Sequence, residues 1–107
     1  MSQSDMITGE AAKRYAGAFL ELAQDAKALK SVEKNLSNFK KVLAGNDNLQ
    51  RLIQSPVFQT EDKVSALMAI AKKAKYHSLT SQFLGLVAEN RRADELPGTI
   101  AAFEDMV

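Results

Sequence analysis

Apolar residues recur every three or four positions along most of the chain, and no stretch shows the period-two alternation of a half-buried strand. Clusters of β-branched residues, which are typical of strands, are also few. Six segments with helical spacing are separated by residues that start or stop helices. The sequence therefore predicts an all-α fold, a six-helix bundle.

Capping residues, glycine and proline set the expected bounds of the six helices. These bounds are Thr8 or Gly9 to Asp25, Lys27 to Ala44, Asn46 or Asp47 to Gln54, Thr60 to the lysines near position 73, Ser78 to Asn90, and Leu96 or Pro97 onward. We expect Gly45 to close the second helix in the left-handed conformation. The hydroxyls of Thr60 and Ser78 are expected to cap the fourth and fifth helices.

The first and fifth helices carry more apolar surface than one core contact needs. At 100° per residue, the apolar side chains of the first helix (residues 10–26) spread over an arc of roughly 200°, and those of the fifth helix (residues 79–90) spread over a similar arc. A helix that lies on a single core usually shows an apolar stripe only a little wider than 100°. The second helix keeps to a narrower stripe, with lysines and serines opposite.

Two interpretations explain the wide arcs. The two helices are either central members of the bundle, covered on both sides by neighbours, or they form a surface groove for an amphipathic helix of another protein. In the second case, Ala11 and Ala18 allow close approach and Tyr15 offers a ring with a polar tip. The predicted partner-binding residues are Ala11, Tyr15, Ala18, Leu22, Leu79, Phe83 and Leu86.

The composition narrows the class of protein. With 107 residues and 46% apolar content, the chain is long enough for one domain with a single core. It has no cysteine, which removes disulfides and thiolate metal sites, and its net charge of +1 gives no long-range attraction to nucleic acid or acidic lipid. No apolar run approaches a membrane span, and residues 1–9 lack the features of a signal or transit peptide. We expect a cytoplasmic chain without membrane insertion, although a form from which such a peptide has been removed is left open.

The residues that could carry catalysis or bind a cofactor are few. His77 is the only histidine, and its place between two helices favours a solvated or capping role. No catalytic residues, metal ligands or cofactor-binding residues are predicted, because two of the three acidic pairs, Glu61–Asp62 and Asp94–Glu95, fall at helix starts and the glycines are scattered. Rotation places Gly17 and Gly85 on polar faces, where we expect them to be tolerated rather than packed.

A basic stripe on the second helix is the best case for nucleic-acid binding. It consists of Lys27, Lys30, Lys34 and Lys41, without interleaved aromatic or arginine side chains. A solvated helix face explains it, so no nucleic-acid partner is predicted.

Three segments carry a more specific pattern. Residues 12–23 read AKRYAGAFLELA, residues 52–56 read LIQSP with EDK at 61–63, and residues 83–92 read FLGLVAENRR with Leu96-Pro97 after them. In order and spacing they resemble the N-terminal domain of the delta subunit family of bacterial ATP synthase, whose mitochondrial counterpart is the oligomycin sensitivity-conferring protein. Arg91 departs from the family, which often has glycine there, so Asn90 is expected to supply any left-handed turn.

The resemblance implies a function without catalysis. In this family the N-terminal domain is a six-helix bundle whose first and fifth helices hold the N-terminal helix of an alpha subunit. A second domain, expected to be absent from residues 1–107, joins the b subunits of the peripheral stalk. The chain is thus expected to be a non-catalytic stator domain on the cytoplasmic face of the bacterial inner membrane. A generic adaptor for another amphipathic helix is the alternative.

Overall fold

The computed structural model describes the backbone of residues 3–107 and the side chains of residues 9–107. Over this range the chain forms six α-helices and one 3-10 turn, and no strand. They are α1 (Gln3–Asp25), α2 (Leu29–Ala44), α3 (Asp47–Gln54), α4 (Thr60–Lys73), α5 (Ser78–Glu89), the 3-10 turn (Ala93–Glu95) and α6 (Leu96–Met106). The predicted all-α fold is confirmed.

The first helix has a break at Gly9. This glycine has φ 75° and ψ 162°, a conformation that L side chains rarely adopt, so the helical backbone from Gln3 bends before it continues to Asp25. The part after Gly9 corresponds to the predicted first helix, whereas the helical residues before Gly9 were not predicted. The proposed Thr8 cap lies outside the described side chains.

The core contains three phenylalanines whose rings are in contact. The ring of Phe19 on α1 lies against Phe83 on α5, with centroids 4.0 Å apart, and against Phe103 on α6, with centroids 5.5 Å apart. All three side chains are buried. The two ring contacts of Phe19 join α1 to α5 and to α6. Along their lengths, α1 packs chiefly against α6, and α4 packs against α5.

Three helix ends share a left-handed residue that is cationic rather than glycine. Lys27, Lys75 and Arg91 have φ values of 56°, 57° and 61°. After each of them, the next N–H donates to a carbonyl five residues back, from Ala28 to Ala23, Tyr76 to Ala71 and Arg92 to Val87, each at 2.9 Å. This is the Schellman arrangement, in which glycine is the usual residue. The cationic side chains suit the negative end of the helix dipole.

Two expectations about helix ends were wrong. Asn90 keeps φ −81°, so Arg91 itself supplies the left-handed turn, and Gly45 has φ −93° instead of a positive angle. The last turn of α2 is held differently, because Gln50 Nε2 donates to the Leu43 carbonyl at 2.8 Å. A side chain from the following helix therefore satisfies a carbonyl that a left-handed glycine would have helped to cover.

Helix starts were predicted in part. Asn46 caps α3 as expected, since its Oδ1 accepts from the N–H of Leu49 at 3.0 Å. Thr60 and Ser78 are instead the first residues of their helices, and the capping positions belong to Gln59 and His77. The Nδ1 atom of His77 accepts from the N–H of Leu79 at 3.1 Å, so the capping role considered for His77 is confirmed.

Gly85 also differs from the prediction. It is buried, and a Cβ atom built on it would lie 3.4 Å from Cε of Met68 on α4. Gly85 thus faces Met68 in the contact between α4 and α5 and not a polar surface, whereas a Cβ on Gly17 would meet nothing within 4 Å, as expected for a tolerated glycine.

Candidate helix-binding groove

Helices α1 and α5 run antiparallel and leave an apolar strip between them. Asn90 Nδ2 donates to the Tyr15 hydroxyl at 3.1 Å, and one turn further along α1 the ring of Phe19 stacks on Phe83. Later residues of α1 therefore contact earlier residues of α5, as in an antiparallel pair. The residues that face inward form the core, and their neighbours on the outer side of the same helices reach the surface.

A cavity of about 360 Å³ opens at the Tyr15 end of this strip. Its lining consists of Ala11, Arg14, Tyr15, Ala18, Leu86 and Arg92. On α1, Leu22 follows Ala18 by four residues and extends the same helix face beyond the cavity. We call the surface formed by these seven residues the α1–α5 groove.

Two leucines give the groove its exposed apolar area. The side chain of Leu22 is 55% exposed and that of Leu86 is 51% exposed, whereas most large apolar side chains of the bundle are buried. Ala18 is also exposed, and Ala11 and Tyr15 are half-buried. A helix that covered these residues would bury apolar surface, and each Å² buried would contribute about 25 cal/mol of favourable free energy.

The structure brings together four of the seven predicted partner-binding residues. Ala11, Tyr15, Ala18 and Leu86 line the cavity, and Leu22 lies further along the same face of α1. Leu79 is half-buried against the core, and Phe83 is only 7% exposed because Phe19 covers its ring. Leu79 and Phe83 lie outside the lining of this cavity. The binding role of all seven residues predicted from the sequence stays a prediction.

Two lining residues, Arg14 and Arg92, were missed in the sequence. Arg14 shares a helix face with Ala11 and Ala18, which stand three residues before it and four after it. Arg92 closes the Ala-Glu-Asn-x-Arg pattern that was noted only as a family resemblance. Helical spacing could have found Arg14, but only the folded turn after α5 places Arg92 beside it.

The described part of the chain offers few other features of a chemical site. Within it, no three His, Asp or Glu side chains are grouped so that they could hold a metal ion. None of its helices combines the length and the apolar content that crossing a membrane requires.

Comparison with known proteins gives one consistent result. Residues 11–107 match the family model described as ATP synthase delta (OSCP) subunit. Proteins called ATP synthase subunit delta are similar to the chain, with 47% identity over 106 residues in Brucella ovis and 48% over 103 residues in Brucella anthropi. These alignments cover 99% and 96% of the chain but only 57% and 55% of the relatives, so the chain spans little more than half of their length. The chain therefore belongs to the ATP synthase delta (OSCP) subunit family.

Proposed function

We propose that the chain is a non-catalytic stator domain of a proton-translocating ATP synthase. Its α1–α5 groove holds the N-terminal helix of an alpha subunit and so links the catalytic head to the peripheral stalk. The b subunits of that stalk bind a second domain that lies outside residues 1–107. The domain works at the cytoplasmic face of the bacterial inner membrane as a peripheral part of the complex.

One observation carries the proposal. Ala11, Tyr15, Ala18 and Leu86 are separated by up to 75 positions in the sequence, yet they line one surface cavity between two helices. Small residues on one wall and a large exposed leucine on the other are typical of a groove that receives an amphipathic helix. Family membership supports the same assignment.

The groove geometry favours a helix over an extended peptide. An extended strand needs an open sheet edge for its backbone hydrogen bonds, and the described residues contain no sheet. A helix satisfies its own backbone and needs only an apolar surface for its stripe of side chains. Exposed Leu22 and Leu86 provide that surface at two points along the groove.

The first experiment is an NMR titration of the chain with a synthetic peptide of the cognate alpha subunit's N-terminal segment. We expect shift changes concentrated on α1 after Gly9 and on α5. No shift change at high peptide concentration would contradict the proposal. Equal binding of unrelated amphipathic peptides would instead favour a generic helical adaptor.

A bulky side chain in the groove provides the matching variant. Ala18→Trp fills the cavity from an exposed position, so it is expected to abolish peptide binding without unfolding the chain. Ala69→Trp is the control, because Ala69 is exposed on α4 opposite buried Leu67. Unfolding by Ala18→Trp would mean that this position belongs to the core, and unchanged binding would mean that the helix docks elsewhere.

A further inference from the structure

The apolar cavity of the α1–α5 groove has two arginines in its lining. Arg14 and Arg92 are both exposed, and the other lining residues are Ala11, Tyr15, Ala18 and Leu86. None of these residues carries a negative charge. The cavity is therefore an apolar surface with two cationic side chains in its lining.

The two arginines reach the rim from different elements. Arg14 lies on α1, one turn after Ala11, and Arg92 follows the left-handed residue Arg91 at the end of α5. The N–H of Arg92 is fixed by its hydrogen bond to the Val87 carbonyl at 2.9 Å. Asn90, two residues before Arg92, donates to the hydroxyl of Tyr15, the residue after Arg14, so both arginines belong to the Tyr15 end of the groove.

Neither guanidinium group forms an ion pair within the described part of the chain. No carboxylate there lies within 4.0 Å of Arg14 or Arg92, although Lys40 pairs with Glu104 elsewhere on the surface. Guanidinium groups bind carboxylates through paired hydrogen bonds, and such charged contacts fix orientation and discriminate between partners.

We propose that the groove selects a helix that carries one or two carboxylates over Arg14 and Arg92, and that this contact sets the direction in which the helix lies. The inference rests on the proposed function and specifies the chemistry of the partner at that site. The apolar seam of the helix covers Ala18, Leu22 and Leu86, and its acidic residues lie at the Ala11 end.

A double-mutant cycle tests the charge contact. The alpha N-terminal peptide and a version with every Glu and Asp replaced by Gln and Asn are titrated calorimetrically into the chain, into the double variant Arg14→Gln/Arg92→Gln, and into Arg51→Gln. Arg51 is exposed on α3 outside the groove and serves as the matched control. Circular dichroism checks that each variant folds.

We expect neutralising the peptide to weaken binding to the unchanged chain about fivefold to tenfold at low salt, as for two partly exposed ion pairs. Neutralising the peptide is expected to have little effect on its binding to the double variant, because Arg14 and Arg92 have been replaced by glutamine. Equal affinities for the two peptides, or equal losses in both proteins, would overturn the charge contact and leave the proposed function standing. If the unmodified peptide fails to bind at all, the proposed function falls and this inference falls with it.

Discussion

The aromatic rings of Phe19 and Phe83 lie parallel, with 1° between their planes and 4.0 Å between their centroids. This stack joins α1 to α5, the two helices that carry most of the groove residues. Leu86 lies one turn further along α5 and is half exposed, whereas Phe83 is almost completely buried. Two neighbouring apolar side chains on one helix thus face different surroundings.

This difference predicts separate effects of two truncations. Phe83→Ala is expected to lower the free energy of unfolding by about 3–5 kcal/mol, because it removes a buried ring and leaves a cavity. Leu86→Ala is expected to cost less than about 1 kcal/mol, because half of its side chain is already in water. Urea unfolding measures both values.

Peptide titration of the same two variants gives the complementary result. Leu86→Ala is expected to weaken binding of the alpha peptide although the fold is intact. If Leu86→Ala destabilised the chain as strongly as Phe83→Ala, Leu86 would be part of the core and the outer wall of the groove would be misassigned.

A glycine at the end of α5 is expected to stabilise the chain. Arg91 has φ 61°, a left-handed angle that costs an L residue about 1–2 kcal/mol and that glycine adopts readily. Glycine also loses more conformational freedom on folding, which offsets part of the gain from the substitution. Arg91→Gly should therefore raise the free energy of unfolding by about 0.5–1 kcal/mol, measured by urea denaturation.

The control for this change is Arg51→Gly, inside α3, where glycine is expected to destabilise by about 1 kcal/mol. Lys27→Gly and Lys75→Gly should follow Arg91→Gly, since both residues close a helix in the same conformation. A loss of stability at all three left-handed positions would show that the cationic side chains contribute more than the backbone strain costs.

The two glycines inside helices are expected to respond differently to alanine. Gly17→Ala should raise the melting temperature, because alanine gains about 1 kcal/mol in a helix and its Cβ meets nothing within 4 Å. Gly85→Ala should gain slightly less, because its Cβ would meet the terminal methyl group of Met68 at 3.4 Å, the short limit of ordinary van der Waals contact. Differential scanning calorimetry on both variants compares them, and an equal gain would show that Met68 moves aside without cost.

Tyr76 predicts a pH dependence. Its buried hydroxyl donates to Asn38 Oδ1 at 2.7 Å, and burial raises the pKa of Tyr76 above its ordinary value of 10.0. Since the folded pKa exceeds the unfolded one, this contribution to stability is complete below pH 10 and is lost as the pH rises through the folded pKa.

Urea unfolding between pH 8 and 11 should therefore show a steeper loss of stability for the unchanged chain than for Tyr76→Phe. At pH 8 the variant is expected to be less stable by about 1 kcal/mol, because the hydrogen bond to Asn38 is gone. Parallel curves for the two proteins would contradict a coupling between ionisation of Tyr76 and folding.

Apolar spacing predicted the fold well, because helix rotation depends on residue separation alone. It identified the six helices, and it indicated excess apolar surface on α1 and α5, where Leu22 and Leu86 are now seen to be exposed. It could not separate Phe83 from Leu86, since only the position of Phe19 decides which side chain is covered.

Local motifs were less reliable at the helix ends. Ser78 and His77 are adjacent and both can cap, and the choice depends on a distant residue. The Oδ1 atom of Asn35 on α2 accepts from the His77 N–H at 2.8 Å and from the Thr80 hydroxyl at 3.0 Å, and it thereby fixes His77 outside the helix. Such tertiary contacts are absent from any local sequence pattern.

The antiparallel pairing of α1 with α5, together with the packing of α1 along α6, has a consequence for synthesis on the ribosome. One wall of the groove is made before α2, α3 and α4, and its opposite wall and its support are made after them. A growing chain from which α1 but not α5 has emerged exposes only one wall of the groove, and its arginine pair is incomplete until Arg92 has emerged. If the groove binds a partner helix as proposed, binding requires that α5 and the turn after it have been made, and a chain stalled before that point cannot bind through this surface.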